Sequence, residues 1–314
     1  MSIRTGRRGG LLLALTAAGV SGLAVFVNGY AVKHVHATPT AYTTLKNMVA
    51  ALLLVTVATA RSRVPAPRVP ALGVSARPTR GTWLGLGYVG LVGGGLAFAL
   101  FFEGLARTST TTAAFTQKTL VVWVIALAVP LLGEKVGPVQ GVAVLLLLTG
   151  AVALNAGNGG LGLGAGPALV LAATVLWAVE VIVAKRLLAS VPSLTVAVLR
   201  MAVGTVALFV WLALAGRLGQ LGHLGRSGWA WVLLTGAILA VYVGVWFAAL
   251  ARARAVDVTA VLVSAAFITA TLSASVQGTA PPHAWGLILV ALGTVAASAG
   301  WRRSGLESTG PAPT

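Results

Sequence analysis

The chain has 314 residues, of which 58% are hydrophobic and only 9% charged, and its mean hydropathy is +0.95. A water-soluble domain needs about a quarter of its residues charged to solvate its surface, so this composition excludes one and points to an all-α integral membrane protein. The formal net charge of +17 lies in short basic clusters between apolar runs, which fits a bilayer surface and argues against a nucleic-acid partner, and the absence of Cys removes disulfides and thiolate chemistry.

Taken in order, the chain predicts ten transmembrane helices, over residues 11–32, 42–60, 82–102, 110–130, 138–154, 167–188, 194–215, 229–250, 258–277 and 284–301. Each is close to the roughly 20 residues that cross about 30 Å of hydrocarbon. No alternating pattern suggests a barrel, and an open sheet edge would leave backbone groups unsatisfied in lipid. The first run follows Arg4, Arg7 and Arg8 as a signal peptide would, but it exceeds the usual 7 to 15 apolar residues of such a signal and precedes no clear cleavage site. It is therefore expected to remain as the first span.

The segment 105–154, LARTSTTTAAFTQKTLVVWVIALAVPLLGEKVGPVQGVAVLLLLTGAVAL, returns in weaker form over 250–298. Both copies open on Leu-Ala-Arg, pass a Thr-Ala step at Thr112-Ala113 and Thr259-Ala260, break at Gly/Pro, and resume at Gln140-Gly141 or Trp285-Gly286. Such a duplication divides the chain into two related five-helix halves, with expected bounds 1–157 and 158–303 and a disordered cytoplasmic tail over 304–314. With the N-terminus inside, fifteen of the 22 Lys and Arg fall in cytoplasmic segments and four, Lys33, Arg107, Arg217 and Arg226, fall outside. An odd number of crossings per half sends the second half in from the opposite side. The repeats are thus expected to be inverted, the usual layout of secondary transporters, with the substrate site near the middle of the membrane. The expected location is the cell inner membrane, multi-pass, with both termini cytoplasmic.

The Pro-rich stretch 61–80 reads as an irregular cytoplasmic tether. The Gly-rich stretch 155–166, NAGNGGLGLGAG, reads as a flexible outer linker between the halves. Its Gly-x-Gly spacings lack the strand, the Lys-Ser/Thr and the acidic partner of a nucleotide site, so no ATP site and no cofactor is expected.

In this layout the sequence resembles the drug/metabolite transporter superfamily, specifically its EamA-type ten-helix members. The resemblance is carried by Leu105-Ala106 followed by small and hydroxyl residues through Ala114, by Gly133-Glu134 ahead of Pro138, by Lys185-Arg186 at the end of the sixth helix, and by the repetition of the layout from residue 11 to 301. The second half departs from it, with Gly278-Thr279 where a Gly-Glu pair would stand. The resemblance implies ten helices as two inverted repeats and transport of small metabolites or drugs.

Candidate site residues are the ionisable and polar groups placed within helices, where each is costly and tends to face a cavity or a partner. Glu180 is the only acid well inside a predicted span, and either serves the site, pairs with Lys185 or faces a water-filled cytoplasmic vestibule. It is also the expected proton-coupling residue, since desolvation costs a carboxylate more than the neutral acid. Superposing Lys33 on Lys185 places Asn28 at the repeat position of Glu180, where it serves the site or a helix–helix hydrogen bond and where Asn28-Gly29 would loosen the first helix. Lys46 and Arg200 form a second repeat pair, and either line the cavity or snorkel to headgroups. Lys118, with Gln117, is expected to line the cavity, and Trp177, one turn before Glu180, flanks a ligand or faces lipid. Glu103 is expected to pair with Arg107, Glu134 to stabilise the turn beside Lys135, Gly93-Gly94-Gly95 to allow close packing, and Trp83, Trp229, Trp231 and Trp301 to anchor at interfaces.

No catalytic residues are assigned: His34, His36, His223 and His283 fall at outer loops, and no cluster suggests metal or acid–base chemistry. The expected function is an alternating-access secondary transporter, an exporter of small organic metabolites with amino acids and related zwitterions or anions first. Multidrug or cation efflux within the same superfamily is the alternative, and a scramblase, channel or intramembrane enzyme is the alternative from another class. The expected partners are a small-molecule substrate and the bilayer, with a homodimer kept open.

Overall fold

A computed structural model of the chain describes residues 2–35, 37–63, 79–155 and 164–277, with positions 285, 288, 289, 292, 293 and 296. Among these residues there is no strand, and the helices are α1 (Ser2–His34), α2 (Pro39–Arg63), α3 (Arg80–Ala106), α4 (Thr110–Leu132), α5 (Pro138–Asn155), α6 (Ala165–Leu187), α7 (Ser193–Leu214), α8 (Arg226–Arg252) and α9 (Ala255–Val276). A short 3-10 turn, Leu218–His223, joins α7 to α8. Eight of these helices are long and apolar enough to cross a membrane. The tenth expected span (apart from the six positions named above), the Gly278-Thr279 pair, the tail, and most of the Pro-rich tether and Gly-rich linker lie outside the described residues.

The helix boundaries follow from local chemistry. Pro39 opens α2, where its missing N–H leaves no bond unmade. Thr79 Oγ1 accepts the Thr82 N–H at 3.2 Å, and Ser109 Oγ accepts the Thr112 N–H at 3.0 Å, capping α3 and α4. Gly133 ends α4 at a φ of 65°, a left-handed C-cap that favours glycine. Helix α9 begins at Ala255, three residues earlier than the sequence predicts. There Glu134 accepts the N–H groups of Ala255 and Val256 at 2.7 and 2.9 Å, and Arg254 forks onto Asp257 with both contacts at 2.8 Å. Glu134 therefore stabilises a helix of the second half rather than only its own turn.

Two features were not predicted. Helix α4 is interrupted at Thr119, between Thr110–Lys118 and Leu120–Leu132, and α9 is interrupted between Ala255–Leu262 and Ala265–Gln277. At each break a hydroxyl takes a backbone carbonyl, Thr119 Oγ1 donating to Thr116 O and Ser264 Oγ to Val261 O, both at 2.7 Å. The fourth helix of each half is thus broken at the same place, as in transporters built on discontinuous helices. Helix α3 widens into a π-helical stretch over Val89–Leu96. In contrast, the expected loosening at Asn28-Gly29 is absent: α1 is continuous, and Gly29 lets Thr110 at the start of α4 come close.

The halves interlock reciprocally. Helix α1 packs on α8 and α9, and α6 packs on α3 and α4; α2 lies against α7 and α8, and α7 against α2 and α3. Gly104 near the end of α3 abuts Gly166 at the start of α6, while Gly85 near the start of α3 abuts Leu187 at the end of α6, so these two helices run antiparallel. Gly10 early in α1 likewise meets Arg252 at the end of α8. Exchanging 1 with 6, 2 with 7, 3 with 8 and 4 with 9 leaves these contacts unchanged. The outer faces are apolar, with Leu84, Val206 and Leu214 at 68, 62 and 83% exposure, whereas Lys46, Lys118, Glu180 and Arg200 are each no more than 7% exposed. That inversion of the soluble pattern is solvated only by lipid.

Candidate functional site

A cavity lies where the halves meet. Its lining includes Asn28 from α1, Lys46 from α2, Phe98 and Phe102 from α3, Gln117 from α4, Trp177 and Glu180 from α6, Arg200 from α7 and Tyr242 from α8. Six of the seven residues singled out from sequence are therefore brought together. Lys118 stands just behind them, fully enclosed, with Nζ donating to Ser21 Oγ at 3.1 Å and to Gln117 Oε1 at 3.0 Å, and both of those residues face the cavity.

The strongest interaction in the site is between Glu180 and Arg200. Arg200 Nε donates to Glu180 Oε1 and its second arm donates to Oε2 at 2.9 Å, a bidentate fork between side chains that are 5% and 8% exposed. Glu180 does not pair with Lys185, whose Nζ donates instead to Leu250 O and Ala253 O at 2.8 and 2.6 Å. Nor do Lys46 and Arg200 snorkel: both are buried at the middle of the protein. A buried pair repays the desolvation of its ions only when the remaining polar atoms are also satisfied. Here carbonyls of the π-helical stretch supply what is missing. Gly93 O accepts from Arg200 at 3.2 Å and from Trp177 Nε1 at 3.0 Å, and Gly94 O accepts from Asn47 Nδ2 at 3.2 Å. Glycine is required at these positions: a Cβ on Gly93 would fall inside the Glu180 carboxylate, and one on Gly94 inside the Arg200 carbonyl.

The remaining lining is aromatic. Lys46 Nζ sits 4.0 Å from the centroid of Phe102 and 5.3 Å from that of Phe98, and the Arg200 guanidinium lies 5.1 Å from the same Phe98 ring. Trp177 packs its ring against Phe98 and Phe101 at 5.5 and 5.3 Å, so it faces the interior rather than lipid. Asn28 Nδ2 donates to Ala24 O at 2.7 Å, and Tyr42 Oη lies 3.0 Å from Asn28 Oδ1 and 2.8 Å from Thr235 Oγ1. The charged lining is thus Lys46, Arg200 and Glu180, a balance of one positive charge, with Lys118 adding a third cation behind it.

Sequence reasoning missed the acceptor role of the Gly93 and Gly94 carbonyls, which the Gly93-Gly94-Gly95 run signals only as tight packing. It also missed Tyr42 and Asn47, ordinary polar residues in an apolar run, and Asp257, which the predicted ninth span left in a loop. Among the described residues, no group of three or more His, Asp and Glu is arranged to hold a metal ion.

Comparison with known proteins agrees with this geometry. The model of the EamA-like transporter family matches residues 8–156 and again residues 164–299. No functionally curated protein matches the chain. A solved structure described only as "Crystal structure of protein" superposes with a TM-score of 0.67 at 20% identity, covering 91% of this chain and 98% of that one, which shows a shared fold. Two family units, end to end, account for nearly the whole sequence and coincide with the reciprocal packing of the halves. The chain belongs to the EamA-like transporter family, and is a multi-pass membrane protein of the drug/metabolite transporter superfamily.

Proposed function

We propose that the protein is a secondary transporter that exports small anionic or zwitterionic organic metabolites by alternating access, with the cavity between the halves as its substrate site. The observation that carries this reading is the charge of the lining, two cations against one acid that is already paired. A lone organic cation brought within about 4 Å of an unpaired ammonium meets a repulsion on the order of 4 kcal/mol at an effective dielectric near 20, which weighs against the multidrug-cation alternative. Asn28, Lys46, Gln117, Trp177, Glu180 and Arg200 are assigned to the substrate, and Lys118 to polarising Gln117 from behind. Glu180 is assigned to proton coupling. Both its oxygens are engaged by Arg200, so the pair links this role to the placement of α6 against α7.

The same reading assigns ten spans to two halves, 1–157 and 158–303, in the cell inner membrane with both termini cytoplasmic. Reporter fusions after Arg68 and after Gly160 are expected to report the cytoplasm and the outside respectively; a cytoplasmic Gly160 removes the fifth crossing. The functional test is competition in proteoliposomes among neutral amino acids, organic anions and quaternary ammonium dyes. Anions and zwitterions are expected to compete, and dyes competing best would replace this reading by cation efflux.

A further inference from the structure

The two halves each hold a cation at the same step of their second helix, and among the described residues only one of these cations has an anion. Arg200 is forked onto Glu180. The repeat places Lys46 at the position of Arg200 and Asn28, a neutral amide, at the position of Glu180. Asn28 makes its polar contacts with Ala24 O and Tyr42 Oη, not with Lys46. Lys46 is 2% exposed and lines the cavity with its ammonium over the faces of Phe102 and Phe98. Among the described residues it has no carboxylate and no hydrogen-bond acceptor. Aromatic faces offset only part of the desolvation of a buried cation. The first half therefore contains one member of an ion pair and a neutral amide where the other would stand.

We propose that Lys46 is the anion-recognition residue of the cavity, and that its ligand is a small organic monoanion whose carboxylate completes in the first half the pair that Glu180 completes in the second. This rests on the reading of the cavity as the substrate site. It also narrows that reading. An amino acid brings an ammonium as well as a carboxylate, and the one acid among the lining residues, Glu180, is occupied by Arg200. A zwitterion thus buries a charge with no partner, whereas the plain carboxylate of the same skeleton does not. The preference expected from the sequence, amino acids first, is reversed.

The test uses three solutes with one carbon skeleton, 4-methylpentanoate, leucine and 3-methylbutylamine, as competitors in proteoliposomes and as stabilisers of the detergent-purified protein against heat. For the wild type, 4-methylpentanoate is expected to act at concentrations at least about tenfold lower than leucine, with no effect of the amine. Lys46→Arg is expected to keep this order and Lys46→Met to lose it. Asn28→Glu supplies the missing anion from the protein itself. It is expected to abolish the response to 4-methylpentanoate while melting no lower than the wild type, so the inference does not depend on Lys46→Met folding. Leucine acting more strongly than 4-methylpentanoate, or either Lys46→Met or Asn28→Glu retaining the wild-type response, overturns the assignment of Lys46 and leaves the transporter reading in place. No response of the wild type to 4-methylpentanoate or leucine, with quaternary ammonium dyes moved instead, overturns both.

Discussion

The third helix of each half occupies an equivalent place in the packing and is built differently. Helix α8 is regular from Arg226 to Arg252, whereas α3 leaves the α-helical register over Val89–Leu96 and presents Gly93 and Gly94 to α6 and α7. Both helices pack tightly on the second helix of the opposite half, Gly94 on the Arg200 backbone and Gly236 on Val49 and the Lys46 carbonyl. Among the described residues, it is beneath α3 that a carboxylate, a guanidinium and an indole N–H converge on one backbone carbonyl region. The duplication has kept the packing, and the ion pair of the site lies against the one stretch where the two third helices differ. If that is right, perturbations near the π-helical stretch should be costly and equivalent ones elsewhere mild.

The largest effect is expected at the ion pair itself. Glu180→Ala leaves Arg200 charged and buried with only Gly93 O and Met201 Sδ near its nitrogens. Removing one member of such a pair costs about 3–5 kcal/mol. The melting temperature in detergent should fall sharply, and the double change Glu180→Gln with Arg200→Gln should recover most of the loss. Lys46→Met, at the first-half equivalent of Arg200, breaks no ion pair among the described residues and should cost far less. Equal losses at the two positions would end the distinction between the halves.

Next is the helix contact. In Gly94→Ala the added methyl would overlap the Arg200 carbonyl oxygen, which cannot turn aside; in Gly236→Ala it would lie 2.7 Å from the Val49 side chain and 2.9 Å from the Lys46 carbonyl, a milder overlap. Overpacking of this kind costs about 1–3 kcal/mol. Gly94→Ala is expected at the upper end of that range, with the larger fall in melting temperature, because it also displaces the carbonyls that hold Trp177, Arg200 and Asn47.

Much of this was legible beforehand, and the remainder was not, for a physical reason. Helix positions, the two halves and the pairing of Lys46 with Arg200 and of Asn28 with Glu180 by repeat position all follow from apolar run length and internal repetition, which are properties of sequence alone. The breaks at Thr119 and Val263-Ser264 and the π-helical stretch are decided by packing between helices far apart in the chain, and leave only weak traces, a hydroxyl or a run of glycines. Likewise the one ion-pair partner that the sequence offers for Glu180 is Lys185, five residues on, because sequence shows local neighbours. The partner it has, Arg200, lies on the next helix and is brought in by tertiary packing.

A smaller effect is expected at Trp177→Phe. The indole N–H donates to Gly93 O, while its ring packs on Phe98 and Phe101. Phenylalanine keeps much of the ring contact and removes one hydrogen bond, worth about 1 kcal/mol. Because Gly93 O still accepts from Arg200, that carbonyl is not orphaned. The expected result is a modest fall in melting temperature. A loss as large as that of Glu180→Ala would mean that the indole, not the ion pair, holds α3 to α6.

The smallest effect tests the other end of α3, where the helix has returned to the α-helical register. Glu103 pairs with Arg107 one turn on, Oε2 accepting from a guanidinium nitrogen at 3.0 Å, and Oε1 accepts the Thr40 hydroxyl at 2.9 Å. The side chains of Arg107 and Glu103 are 55% and 26% exposed, so solvent screens their attraction, and such pairs contribute about 0–1 kcal/mol. Glu103→Gln retains an acceptor for Thr40 and loses only the charge. It should therefore leave the melting temperature nearly unchanged, and the difference from wild type should shrink further as salt is raised. A loss comparable to Gly94→Ala would show that the polar contacts of α3 act along its whole length, and the contrast with α8 would then reflect charge rather than the change of helical register.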